Sequence, residues 1–483
     1  MCMQPDAENT SEDCLFLNIW TPTTNTSARL PVRVFIHGGA YYTGSGSDIY
    51  HGGCQIANDS NVVAVTINYR LGVLGFLALP GLEDSTAGGT TGTWGLLDQR
   101  MALRWIQDNI RAFGGDPAKV MITGESAGAF SVLLHTMMPG GQATGSSKSL
   151  FYAAAPVSGS LDVFSVDFLK DAYNKGRVVA EAVGCAATLT MAQRRDCLLR
   201  APASKIISAQ SAVQPYAHVL PAIDGKQLPK HPLRLMQEGA MNKVPMLFGL
   251  MKNEGIQFAV DHTGGNFAIN QTEMLAALKK EVFVPSAFVT RLYSQYNDQY
   301  YGSWFAALTV AITEGTFWCP TYRAARQFAR HSSSLTRLYI MSAARPMSGC
   351  IYNAIFGQEA GGLAEAELAD AFHSYDIPVS FMVPHLAPGA CGWTEPEFEL
   401  SSFLSGILSN FAANRTPLPP RSTSLNRTLV RGVSWPAWSS TNQQVLMLDW
   451  GKPSFEPANT LLGSACKLWD DILEYNIKRG SNY

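Results

Sequence analysis

The stretch KVMITGESAGAFSVLLHTMM, residues 119 to 138, reads as a strand, a sharp turn and a helix in immediate succession. Val120 to Thr123 form an apolar run bounded by Gly124, and from Ala127 onward Ala, Phe, Val and Leu recur at helical spacing. Between the two stands GESAG, residues 124 to 128, which has the form G-x-S-x-G. A serine on so tight a turn is forced into strained backbone, and only small residues on either side let the neighbouring chain pass that close. Its hydroxyl is then presented at a helix N-terminus, where the dipole favours developing negative charge. Ser126 is therefore the candidate nucleophile, with Glu125 as its supporting neighbour. The five letters alone arise often by chance, so the strand before them and the helix after them carry the inference.

Working outward, apolar runs alternate with helical patterns. PVRVFIHGG (31 to 39) and VVAVTINYR (62 to 70) read as strands and LLDQRMALRWIQDNIRAF (96 to 113) as a helix; VPMLFGL (244 to 250) and LTRLYIMSA (335 to 343) read as later strands. Several strands are continuously apolar, as expected where helices cover both faces of a sheet. The pattern predicts an α/β protein with a mostly parallel central sheet, a single domain over residues 1 to 483, and helical insertions at about 160 to 220 and 260 to 370. Gly114 is placed to end the first helix in a left-handed turn, and Asp116-Pro117 predicts a short new turn. LPPRSTSLNRTLVRG (418 to 432) reads as a surface loop.

Composition narrows the function. Hydrophobic residues make up 46% and charged residues 15% of the 483, which supports a large core rather than disorder. The formal net charge is -2 and no basic run is long enough to track a phosphate backbone, so nucleic acid is not expected as a partner. No apolar stretch approaches the ~20 residues that a membrane helix needs. The nine cysteines show no CxxC or Cys/His metal spacing, so neither a metal nor a cofactor is expected. Cys2 with Cys14, and Cys185 with Cys197, would close short loops of the kind an oxidising compartment permits. Six N-x-S/T sequons, the first at Asn9 and the last at Asn426, point the same way, toward a secreted glycoprotein. MCMQPDAENT, however, carries no recognisable export signal.

The remaining chemistry is sought around the serine. HGGAY (37 to 41) follows a strand; alone it is a tight glycine turn, but with the serine turn downstream it reads as a backbone anion-binding loop. The donors would be the amides of Gly39, Ala40 and Ala127. In the chain order serine, acid, histidine, the acid belongs just after a later strand, which nominates Glu254 in KNEGIQF. Among the histidines beyond it, His373 sits on a turn between a helical pattern and an apolar run, with His385 as its rival. Tyr41, Tyr42 and GSWFAALTVAITEGTFW (302 to 318) supply aromatics that suit an apolar gorge and suit core packing equally well.

Eight blocks then stand in one order: SEDCLFLNIW, FIHGGAYYTG, NYRLGVLGFL, GTWGLLDQRMALRWIQDNIRAFGGDP, GESAG, PAIDG, KNEG and FHSYDIP. With them the chain resembles the type-B carboxylesterase, lipase and cholinesterase family of α/β-hydrolases, from residue 2 to about residue 470. The resemblance implies a serine esterase acting on small-molecule or lipid-like esters, with Ser126 as nucleophile, His373 as base and Glu254 as its orienting carboxylate. It implies a hydrogen bond from Ser158 to the acid, and Tyr216 and Ala217, with His218, on the acyl side of the pocket. A small Ala217 hints at room for more than acetyl. It also implies the pairs Cys2–Cys14, Cys185–Cys197 and Cys319–Cys466; Cys350 with Cys391 is a guess, and Cys54 is left as the free thiol. Two departures stand out. Relatives carry a further segment ahead of the first cysteine, and cholinesterases have there a tryptophan that stacks on quaternary ammonium. MCMQPDAENT has no aromatic residue, which argues against choline esters. A lipase, a biosynthetic acyltransferase or thioesterase, and a catalytically inactive adhesion-type homologue are the alternatives.

Overall fold

In the computed structural model, the described residues are 1–5, 7–141, 149–161, 165–213, 218–331, 336–342, 370–383, 395–417, 435–439, 441–449, 453–462 and 465–480. Tyr216, Ala217, Cys350, Cys391, His385 and the 418–432 loop lie outside them.

Among the described residues nine strands form one sheet. In chain order they are β1 Leu17–Trp20, β2 Leu30–Ile36, β3 Val63–Ile67, β4 Gly115–Glu125, β5 Ala153–Val157, β8 Met246–Met251, β9 Thr336–Met341, β10 Gln444–Leu448 and β11 Ser454–Pro457, with a separate short pair, β6 Asp167–Phe168 and β7 Ala222–Ile223. Across the sheet the order is β1-β3-β2-β4-β5-β8-β9-β10-β11. The first and last strands run antiparallel to their neighbours and the rest are parallel. The architecture is that of an α/β-hydrolase, as the alternating pattern predicts.

The parallel strands are apolar on both faces because both faces are covered. Along β4, Met121 belongs to one core cluster and Ile122 to the other; along β8, Leu247 and Phe248 divide in the same way. This is the period-two alternation of a pleated strand, with two cores in place of one core and solvent. One core takes side chains from α1 Trp94–Asn109 and α2 Ala127–Met137. The insertion after β5 contributes α3 Leu169–Val183, α4 Met191–Arg200 and α5 Ala203–Ala209. The insertion after β8 contributes α6 Ile256–Thr263, α7 Gln271–Glu281, α8 Trp304–Ile312 and α9 Cys319–His331. The other core is closed by Leu400, Phe403, Leu404 and Ile407 of α10 Glu395–Asn414. The last helix among the described residues is α11 Ala465–Arg479. None of the helices among the described residues is long and apolar enough to cross a membrane.

Gly114 ends the first helical run at φ 78°, as its position predicts. Asp116-Pro117 does not form a separate turn. β4 runs through it, and the register against β2 shifts from Leu30 opposite Gly115 to Val32 opposite Val120. The extra residues are accommodated as an irregularity in the strand, where the Asp116 carboxylate accepts the Ala118 N–H at 3.0 Å. Among the described residues three disulfides join Cys2 to Cys14, Cys185 to Cys197 and Cys319 to Cys466, and Cys54 is free and exposed.

The topology places a site. The chain runs β2, β3, then crosses to β4 on the opposite side of β2, so β2 and β4 are neighbours whose connections leave in opposite directions. Ligands of open α/β sheets bind outside the carboxyl ends of strands at such a reversal. Here Ile36 lies opposite Gly124, so HGGAY and GESAG leave the sheet side by side.

Candidate functional site

Ser126 has φ 54° and ψ −124°, a conformation that L residues adopt only under constraint. The constraint is visible on both sides. A Cβ on Gly124 would lie 2.5 Å from the Gly128 backbone, and one on Gly128 would lie 2.0 Å from the Ile36 carbonyl oxygen. Both glycines are required by the close passage of β2. The bend is held by the Ser126 N–H donating to the Val157 carbonyl of β5 at 3.0 Å.

The HGGAY loop packs directly on this bend. A Cβ on Gly38 would meet Glu125 Oε2 at 2.8 Å and Ser126 Cβ at 3.0 Å. His37 anchors the loop: its ring stacks on Tyr69 at 4.4 Å, its Nδ1 sits 2.9 Å from the Gly38 carbonyl, and its own carbonyl accepts the Tyr69 hydroxyl at 3.0 Å. Burial drives the His37 imidazole down to about 3, so it is a neutral structural ring. Gly39, Ala40 and Tyr41 follow at φ 94°, 54° and 59°. Three successive left-handed residues turn the loop so that Tyr42 and Thr43 both donate to the Gly39 carbonyl, at 2.8 and 2.9 Å. Among the described residues the N–H groups of Gly39, Ala40 and Ala127 donate to no protein acceptor.

Glu254 stands at the end of β8, fully buried. One of its oxygens accepts the Met251 N–H at 2.8 Å and the other accepts His373 Nδ1–H at 2.7 Å. The segment carrying His373 is tied to the acid loop by a bridge between Asn253 and Phe372. His373 is 5% exposed, and its ring lies against Phe258 of α6 at 5.2 Å and Phe317 at 4.7 Å. Ser126, Phe258 and Phe317 line one cavity of about 280 Å³, together with Ala40, Tyr41, Phe130 and Leu220. At its rim stand the exposed Asp261 and Lys280 and the half-buried His262 and Glu281.

His373 Nε2 does not hydrogen-bond Ser126 Oγ among the described residues. It faces Glu125 Oε1 at 3.2 Å, and the Ser374 hydroxyl donates to that same oxygen at 2.8 Å. Burial works against a charged imidazole, but Glu125, Glu254 and Asp376 around the ring outweigh it and push His373 up to about 9. Burial also pushes Glu125 up to about 7, against the pull of His373. Asp376, buried and close to both glutamates, is raised well above the carboxylate range by burial first and then by their charge. One basic ring thus sits among three buried carboxyl groups. Such perturbed clusters concentrate at functional sites.

Several expectations are corrected. Ser158 lies beside the bend, at φ 52° and fully buried, but its hydroxyl has no protein partner and does not bond Glu254. The Glu254 oxygens instead accept from Met251 and His373. Tyr41 does line the cavity, although it is 1% exposed and its phenol oxygen accepts from the Ser131 hydroxyl at 3.3 Å. Tyr42 packs edge-on against His218 at 5.2 Å. Within 302–318 only Thr316 and Phe317 reach the cavity; Phe305 packs on Phe267, and Trp318 donates its indole N–H to the Met251 carbonyl at 2.8 Å. Sequence reading did not single out Phe258, Thr316, Ser374 or Asp376. Phe258 lies four residues beyond Glu254, one helical turn, and Ser374 and Asp376 lie in the histidine block itself, so those three had a local signal.

The profile of the Carboxylesterase family matches residues 1–469 of the chain. A Cholinesterase of Mus musculus is 30% identical over 478 residues, covering 95% of this chain and 72% of that protein. An Acetylcholinesterase of Bungarus fasciatus is 28% identical over 479 residues, covering 96% of this chain and 72% of that one. With the family profile spanning nearly the whole chain on an α/β-hydrolase sheet, the protein belongs to the carboxylesterase family and is a carboxylic ester hydrolase.

Proposed function

We propose that this protein hydrolyses small-molecule carboxylic esters through an acyl-enzyme on Ser126, with His373 as proton carrier and Glu254 as the carboxylate that orients it. The observation that carries this reading is the meeting of a strained serine, lining a cavity, with a buried His373–Glu254 pair whose ring packs on two walls of that cavity. Rotation of the Ser126 side chain toward Nε2 on substrate binding completes the chain, since catalytic hydrogen bonds often tighten only in the substrate complex. His373 then takes the serine proton as Oγ attacks the ester carbonyl, and Glu254, on Nδ1, stabilises the imidazolium. The amides of Gly39, Ala40 and Ala127 receive the oxyanion. The imidazolium returns its proton to the leaving alcohol; water, deprotonated by the same ring, releases the acid and restores the serine.

Three disulfides fit an oxidising compartment, and with the sequons they support an extracellular protein. The test of the mechanism is Ser126→Ala assayed on p-nitrophenyl butyrate, with fluorophosphonate labelling alongside. Turnover should fall by on the order of 10⁴-fold or more and labelling should vanish. Retained turnover with retained labelling would refute the assignment.

A further inference from the structure

The cavity beside Ser126 is walled by hydrocarbon: Phe130, Leu220, Phe258 and Phe317. A threonine interrupts this wall. Thr316 is 3% exposed, lines the cavity, and its Oγ1 is buried with no protein hydrogen-bond partner. A threonine inside a helix ordinarily settles its hydroxyl on a carbonyl one turn back. The two preceding helical threonines do so: Thr309 donates to Phe305 at 3.1 Å and Thr313 donates to Thr309 at 2.9 Å.

Thr316 lies in Thr313–Trp318, a six-residue π-helix inserted between α8 and α9, and such insertions recur at functional sites. The π-helix is pinned at both ends to the loop that carries Glu254. The Gly255 N–H donates to Thr313 Oγ1 at 2.8 Å, and Trp318 donates to the Met251 carbonyl at 2.8 Å. Its outer side is fixed as well: Trp469 of α11 donates to the Tyr296 hydroxyl at 2.7 Å, which donates to Glu314 at 2.5 Å. A Cβ on Gly315 would lie 2.8 Å from the Trp469 ring, so the segment has no freedom to slide outward. Thr316 is therefore held at the cavity wall by contacts that do not involve its hydroxyl.

We propose that Thr316 is a specificity-determining residue whose hydroxyl hydrogen-bonds a neutral polar substituent, a hydroxyl, ether or carbonyl, on the ester substrate. This rests on the esterase reading of the site. A neutral group is favoured because the charged rim is already occupied with itself: His262 faces Glu281 at 2.8 Å, Lys280 donates to the His262 carbonyl at 2.8 Å, and Gln257 donates to Asp261 at 2.6 Å. His218 lines the same cavity with a buried Nδ1 that has no protein partner, a second uncharged hydrogen-bonding atom; burial lowers its pKa.

The experiment compares esters matched in size. p-Nitrophenyl 3-methylbutyrate against p-nitrophenyl 3-hydroxybutyrate tests the acyl arm, and butyl acetate against 3-hydroxypropyl acetate tests the alcohol arm. The full-length protein should prefer the hydroxylated member of one pair. Thr316→Val, nearly isosteric, should lower that kcat/KM ratio about tenfold, and Thr316→Ser should keep it. Ratios that are identical for the native protein, T316V and T316S overturn the proposal, as does an equal loss on both members of a pair. Absence of turnover on all four esters, with no fluorophosphonate labelling, would instead refute the esterase reading beneath it.

Discussion

Replacing Glu125 by Gln isolates one electrostatic contact, the 3.2 Å approach of its Oε1 to His373 Nε2. With Glu125 and Glu254 beside it, the imidazole is pushed up to about 9, and only its neutral form accepts the serine proton. Turnover should therefore rise with pH and level off near 9 in the native protein. Removing the Glu125 charge takes away a partner of the imidazolium, so the folded-state pKa of His373 falls and the rising limb moves to lower pH. Coulomb's law at the 3.2 Å separation gives about 5 kcal/mol at an effective dielectric of about 20 and about 1.3 kcal/mol in bulk water, or about 4 and 1 pH units. Because burial pushes Glu125 itself up to about 7, its carboxyl is increasingly neutral below that pH and holds the imidazolium only as it ionises above it. The expectation is a downward shift of at least about 1 unit, read from kcat/KM against pH on p-nitrophenyl butyrate. Gln keeps an acceptor for the Ser374 hydroxyl, so a gross change of loop structure is not expected. A profile that is unmoved, or moved to higher pH, would refute the view that Glu125 holds the ring protonated.

Two further outcomes follow from the same geometry. Gly128→Ala places a methyl 2.0 Å from the Ile36 carbonyl oxygen, which only backbone displacement can relieve; thermal unfolding should show a loss of about 1–3 kcal/mol or more, with turnover impaired even where the fold survives. Glu254→Gln leaves shape nearly unchanged but removes the charge on Nδ1 and allows the wrong imidazole tautomer, so kcat should drop by roughly 10³–10⁴, with far-UV circular dichroism unaltered.

How much of this was legible in advance differs by element. Val63–Ile67 and Met246–Met251 announce themselves as largely apolar runs because both faces of a parallel strand are covered. The edge strands Leu17–Trp20 and Ser454–Pro457, half-buried and paired on one side only, carry no such signal. The π-helix was also invisible, since TEGTFW has the composition of any helical turn and its register is imposed by Met251, Gly255 and Trp469 from outside. Ser158 shows the opposite failure: a plausible hydroxyl in the right neighbourhood that makes no bond to the acceptor it was assigned, which accepts from Met251 and His373 instead.

The local chain by itself determined the bend at Ser126, because a strand that turns into a helix within GESAG admits glycine alone where β2 passes. It determined, too, that a sheet with helices on both faces would carry that bend. Only the tertiary structure decided what surrounds it: that His373, 119 positions from Glu254, meets it at 2.7 Å, that its other nitrogen faces Glu125, and that Thr316 is left facing the cavity. Periodicity and steric demand act between neighbours and can be read from them. A contact between segments more than a hundred residues apart depends on the register of every strand between, and no single segment encodes it.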